Sequence, residues 1–94
     1  MDQSITLKIA GREYSLKVQS PEMEQLMRLG AESINRTLAV YDQRYPDKSL
    51  VDKLAFVTLR EAVSRLSTER RMTAASDEVK TFEAEMASYL DGLK

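Results

Sequence analysis

The chain has 94 residues, room for one small domain and not two. Its 14 Lys and Arg against 15 Asp and Glu leave a formal charge of −1, so it lacks the cationic surplus that phosphate neutralisation or adhesion to an anionic membrane requires. Cys and His are absent, which excludes disulfides, thiolate nucleophiles, soft-metal sites and imidazole acid–base chemistry. No membrane-length apolar run and no charged-then-apolar leader is visible, so the expectation is a soluble, cytoplasmic protein.

Five residues punctuate the chain: Gly11, Pro21, Gly30, Pro46 and Gly92. Between Ile5 and Val18 the apolar residues alternate (Ile5, Leu7, Ile9, then Tyr14, Leu16, Val18) around Gly11-Arg12. A hairpin with Gly11-Arg12 as its two-residue loop pairs Ile9 with Tyr14, Leu7 with Leu16 and Ile5 with Val18, and puts all six on one side. An isolated hairpin is barely stable, so that side must rest on another element. Ser20-Pro21 then reads as N-cap and N1 of a helix, with Glu22 and Glu24 suited to its positive end. Apolar residues recur from Met23 through Met27, Ile34, Leu38, Tyr41 and Tyr45, with Glu24/Arg28 and Glu32/Arg36 as favourable i,i+4 pairs. Leu29 and Val40 lie well off that stripe, so the apolar arc is too wide for one neighbour. Gly30 either admits a close backbone or is merely tolerated.

Pro46 ends the first helix, and Ser49-Leu-Val-Asp52 opens the next. No Gly or Pro follows before Gly92, which predicts one helix about 60 Å long against about 36 Å for the first. The run Leu54–Leu59 could pass for a buried strand, but no turn signal separates it from the helical pattern downstream. From Leu50 to Leu66 this helix is apolar around most of its circumference. Beyond a polar stretch at Ser67–Arg71 the pattern narrows to a heptad seam: Met72, Val79, Met86 and Leu93 at one core position, and Ala75, Phe82 and Tyr89 at the other. The shorter helix cannot cover the longer, so the last 20 or so residues extend past their own domain and call for a second chain. The expected fold is therefore α+β, mostly α: a β-hairpin followed by two helices (ββαα), the second long and ending in an oligomeric coiled coil. Residues 1–66 would form a globular dimerisation head and residues 67–94 the coiled-coil extension. A homodimer is expected, and a tetramer if the two halves use different interfaces.

The chemistry available for catalysis is thin. Asp77-Glu78 and Glu83/Glu85 are carboxylate pairs of the kind solvated helices carry routinely, Ser20 serves as a cap, and Arg70-Arg71 has no aromatic interleaving for nucleic acid. No enzyme activity, metal, cofactor or small-molecule substrate is expected. Arg12 is the most informative exposed residue: either a solvated turn residue or a charged contact for a partner surface, where its planar fork of donors is favoured. The turn carrying Arg44, Lys48, Asp52 and Lys53 is a second such patch, with the same two readings. From these residues alone the description stops at a coiled-coil oligomerisation protein.

The order of the pieces is informative. A strand ending Ile-Ala-Gly-Arg, a return strand with Leu-Lys-Val, Ser-Pro-Glu, a helix with Ala31, Ile34-Asn35 and Leu38, then Leu54-Ala-Phe-Val-Thr-Leu and a heptad tail resembles the ZapA family of Z-ring-associated cell-division proteins nearly end to end. The resemblance implies a ββαα protomer, a dimeric head and a coiled coil that pairs dimers into an antiparallel tetramer. It also implies a non-enzymatic, cytoplasmic protein at the midcell division ring that binds FtsZ and crosslinks or aligns its filaments. By the same resemblance Arg12, Asp52 and, more loosely, Arg44 and Lys48 would contact the filament. The shorter C-terminal arm here bears on the tetramer more than on the dimer. The alternative is a small helical chaperone or secretion adaptor that holds a partner helix in a coiled-coil groove.

Overall fold

A computed structural model of the protein describes residues 3–70 and 75–92, with the backbone alone at 75–77. The element order is β1 (Gln3–Ile9), β2 (Arg12–Val18), α1 (Pro21–Arg44), α2 (Leu50–Glu69) and α3 (Ala75–Asp91). These form two compact units, residues 1–48 and 49–94.

In the first unit β1 and β2 form an antiparallel hairpin, but its register differs from the sequence expectation. Ile9 pairs with Arg12, Leu7 with Tyr14, Ile5 with Leu16 and Gln3 with Val18. The loop is Ala10-Gly11, with φ of 54° and 81°. Positive φ at both central residues is the turn whose twist matches that of the strands. An L-residue in this conformation costs about 1–2 kcal/mol, and the compensation comes from α1. The Asn35 side chain accepts from the Ala10 N–H at 3.0 Å and donates to the Lys8 carbonyl at 2.7 Å. Every pairing is displaced by two residues, an even number, so each side chain keeps the face its alternation assigned. The other face is polar: Ser4, Thr6 and Lys8 opposite Lys17, Ser15 and Glu13.

α1 begins and ends as its sequence dictates. Ser20 Oγ accepts from the Met23 N–H at 3.1 Å, with Pro21 opening the helix. Arg28 Nε reaches Glu24 at 3.0 Å, one turn apart. Tyr45, just before Pro46, leaves the helical region while its N–H still bonds the Tyr41 carbonyl at 2.8 Å. The helix lays Ala31 and Met27 on Ile5, Leu7, Ile9 and Val18. Further along, Leu38, Tyr41 and Tyr45 are buried. A Cβ added at Gly30 would meet nothing within 4 Å, so no close approach inside the described chain requires that glycine.

The second unit is an antiparallel pair of helices. Ser49 Oγ caps α2 by accepting from the Asp52 N–H at 3.1 Å. Residues Leu54–Leu59 are helical. The stretch expected to run as one long helix is two: α2 ends at Glu69 and α3 starts at Ala75. Across the pair the Ser67 hydroxyl donates to Glu78, Arg60 faces Glu83 at 3.6 Å, and the Phe56 and Tyr89 rings lie 6.2 Å apart. Val79, Met86 and Leu90 of α3 are buried. Burial within the chain therefore covers much of the stripe that the sequence pattern left exposed.

Candidate functional site

The hairpin face that packs on α1 is covered unequally. Ile5 and Leu7 of β1 lie under α1, with Val18 at the far end of β2. Their cross-strand partners do not: Tyr14 keeps 45% of its surface and Leu16 40%, and Arg12 is exposed beside them. Residues 12, 14 and 16 alternate along β2 and so share this face. The result is an open strip of Arg, Tyr and Leu, continuous at its inner edge with the core. This is the composition enriched at the energetic centres of protein interfaces: a bidentate donor, a rigid ring with a polar tip, and an aliphatic anchor. Arg12 is not a loop residue, as the sequence register implied; it is the first residue of β2, opposite Ile9. Its position is set by the turn that Asn35 holds, two residues before it. Asn35 went unassigned in the reading of individual residues. The signal that could have found it is an amide in mid-helix, a residue type that competes for backbone groups and is seldom placed there without a partner.

The remaining charged candidates are distributed. Arg44 ends α1, its guanidinium carbon 5.6 Å from the centre of the Tyr45 ring. It lies nine residues beyond Asn35, about 14 Å along the helix axis and on the opposite side of the helix. Arg12 and Arg44 thus occupy different surfaces of the first unit. Lys48 is half-buried after the Pro46 turn, its N–H bonded to the Tyr45 carbonyl at 3.1 Å. Asp52 belongs to the second unit, in the first turn of α2. There the macrodipole favours its charge, so the helix start accounts for it locally.

Of the seam residues, Met72 and Leu93 lie outside the described residues, and at Ala75 only the backbone is described. Val79 and Met86 are buried and Phe82 is half-buried, in an α3 that packs on α2 of the same chain. Tyr89 retains 59% exposure, and the neighbouring Leu90 is buried instead. A second apolar stripe is open on α2. Val51, Leu59 and Leu66 keep 76%, 48% and 43% of their surface, with Ala55 exposed and Ala62 half-buried between them. At spacings of four, four, three and four, these five residues fall within about an 80° arc, roughly 110° around the helix from the stripe that meets α3. Regular spacing over four turns suits a helix partner.

The description "Cell division protein ZapA" is that of the family model that matches residues 5–93. The chain belongs to the ZapA family. Members of this family are non-enzymatic cell-division proteins associated with the Z-ring. No curated protein and no solved structure matches the chain. Among the described residues no helix is long and apolar enough to cross a membrane, and no group of three or more acidic side chains could hold a metal ion.

Proposed function

We propose that this ZapA-family chain binds FtsZ filaments in the cytoplasm at midcell and ties them together as a symmetric oligomer. The observation that carries the reading is the open Arg12–Tyr14–Leu16 strip, an interface-grade surface on a rigid hairpin clamped to α1. One such strip per protomer, repeated by symmetry, holds two filaments without any single contact being tight, because each bound contact raises the effective concentration of the next. Arg44 and Lys48 of the first unit and Asp52 of the second offer further charged contacts. Oligomerisation draws on the apolar α2 face of Val51, Leu59 and Leu66, which is open to a second copy, whereas Val79 and Met86 of the α3 seam are covered by α2 of the same chain.

Co-sedimentation with FtsZ polymer tests the proposal. The wild-type chain should pellet with polymer and thicken it into bundles, less so as salt screens the Arg12 contact. Arg12→Ala should lose pelleting while sedimenting alone as wild type does. Unchanged bundling by that variant would remove the strip from the filament contact.

A further inference from the structure

In a two-stranded sheet each strand has one free edge, a row of N–H and C=O groups able to add another strand. The two-residue loop makes Ile9 and Arg12 a hydrogen-bonded pair, and bonded and non-bonded pairs alternate along an antiparallel ladder. The backbone groups of Glu13, Ser15 and Lys17 therefore point away from β1, and those of Ser4, Thr6 and Lys8 point away from β2. The Lys8 carbonyl bears out this parity: it is turned outward, and Asn35 of α1 donates to it at 2.7 Å. That bond occupies the hairpin end of the β1 edge. Along β2, residues 12–17 are all exposed, and its edge is open.

This strand is complementary to itself. With two copies antiparallel about a two-fold axis at Ser15, Ser15 opposes its own copy, Glu13 opposes Lys17 of the second chain and Tyr14 opposes Leu16 of the second chain. The outward-pointing positions 13, 15 and 17 then meet one another, so each free donor finds an acceptor. On the polar face the charges across the sheet run Lys8, Glu13, then Lys17 of the second chain, alternating in sign. A slide by one residue sets bonded positions against non-bonded ones, and a slide by two sets Glu13 against Ser15 or Gln19 and loses both charge pairs. We infer that the β2 edges of two copies join in this register, giving a four-stranded sheet β1–β2–β2–β1 whose centre is one composite docking patch. At a strand spacing of about 4.8 Å the two β1 strands stand roughly 14 Å apart, wider than the roughly 8–10 Å between packed helices. A floor of two Tyr14 and two Leu16 side chains is left between the α1 helices that cover β1 on either side. Neither copy has this patch alone, since each Tyr14 lies beside the other chain's Leu16. The docking role of the patch rests on the proposed filament contact; the pairing does not.

The chain has no cysteine, so a single introduced thiol reports the pairing without background. Ser15→Cys brings its two copies to about 5.5 Å across the axis, on the polar face and away from the core. Ser4→Cys, on the same face of β1, leaves its copies about 20 Å apart. Treated with a short bismaleimide in the absence of FtsZ, full-length Ser15→Cys should give covalent dimer and Ser4→Cys should not. Adding Glu13→Lys or Lys17→Glu to Ser15→Cys sets like charges opposite each other twice, and each change should slow linking about tenfold. An equimolar mixture of those two variants should restore it as the mixed dimer, because their altered charges oppose in sign. Circular dichroism matching the parent shows that the variants fold. Absence of the Ser15 link in folded protein at high micromolar concentration overturns the pairing. Ser4→Cys linking as fast as Ser15→Cys overturns the assignment to the β2 edge, and linking indifferent to the charge changes overturns the register. A Ser15-linked dimer that leaves FtsZ polymer unbundled removes the proposed function and leaves the paired sheet standing. Bundling by a chain that never links leaves the function and overturns the pairing.

Discussion

Replacing Asn35 with Ala tests whether a helix side chain sets the hairpin register. The side chain makes two hydrogen bonds to the hairpin, accepting from Ala10 and donating to Lys8 at 3.0 and 2.7 Å. Each is worth about 1 kcal/mol net, and the half-buried Ala10 N–H left behind adds a fraction of its desolvation cost. The expected loss is about 2 kcal/mol, or a fall of roughly 10 °C in the melting midpoint of a chain this size. Thermal unfolding by circular dichroism measures the loss, and amide exchange at Ala10 localises it, since that N–H should lose most of its protection. Asn35→Asp keeps the acceptor for Ala10 but sets a carboxylate oxygen against the Lys8 carbonyl, so it should recover less than half of the stability. A fall under about 0.5 kcal/mol for Asn35→Ala, with Ala10 still protected, would mean that the turn is set locally and would refute the reasoning.

Four further outcomes follow from the same geometry. Ala10→Gly should stabilise by about 0.5 kcal/mol, the relief of left-handed strain exceeding the added freedom of the unfolded chain; a destabilised variant in chemical denaturation would contradict the positive φ at that position. Tyr14→Ala should weaken pelleting with FtsZ polymer as Arg12→Ala does, with stability changed by less than about 1 kcal/mol because the ring is already 45% exposed; normal pelleting would remove the ring from the contact. Leu59→Glu places a charge in the open α2 stripe and should shift sedimentation toward monomer with helicity retained; an unshifted oligomer would show that this face is solvent in the assembly. Met86→Glu buries a charge at a position only 3% exposed and should cost several kcal/mol, seen as lost helicity; full helicity and wild-type melting would place Met86 outside the α2–α3 packing.

Local chemistry wrote several of the element boundaries of this chain. The Ser20-Pro21 start, the Ser49 cap, the stop before Pro46 and the alternation of β1 and β2 each depend on backbone donors and side-chain periods within a few residues. All appear in the structure as the residues imply. The hairpin face was equally legible, because a period of two survives an even shift in register. The register itself was not. Gly11 could serve as either central residue of the loop, and the observed loop is bonded by Asn35, 25 residues from Ala10. The same limit governs the candidate site. Exposed Arg12 could be read from composition, but its joining with Tyr14 and Leu16 into one open strip required knowing which half of the hairpin α1 covers.

The tail shows the division most plainly. Heptad spacing established that Val79, Phe82 and Met86 form an apolar stripe and that something must lie on it, since burial of apolar surface does not depend on whose atoms do the covering. Which atoms do so is a question of chain path, and neither period nor propensity encodes it. In the tertiary structure the answer is α2 of the same chain, reached by a break after Glu69 that no stop residue marks. Sequence alone determined the faces, the caps and the family; folding decided the partners, because a hydrophobic stripe specifies a shape to be met and leaves open what meets it.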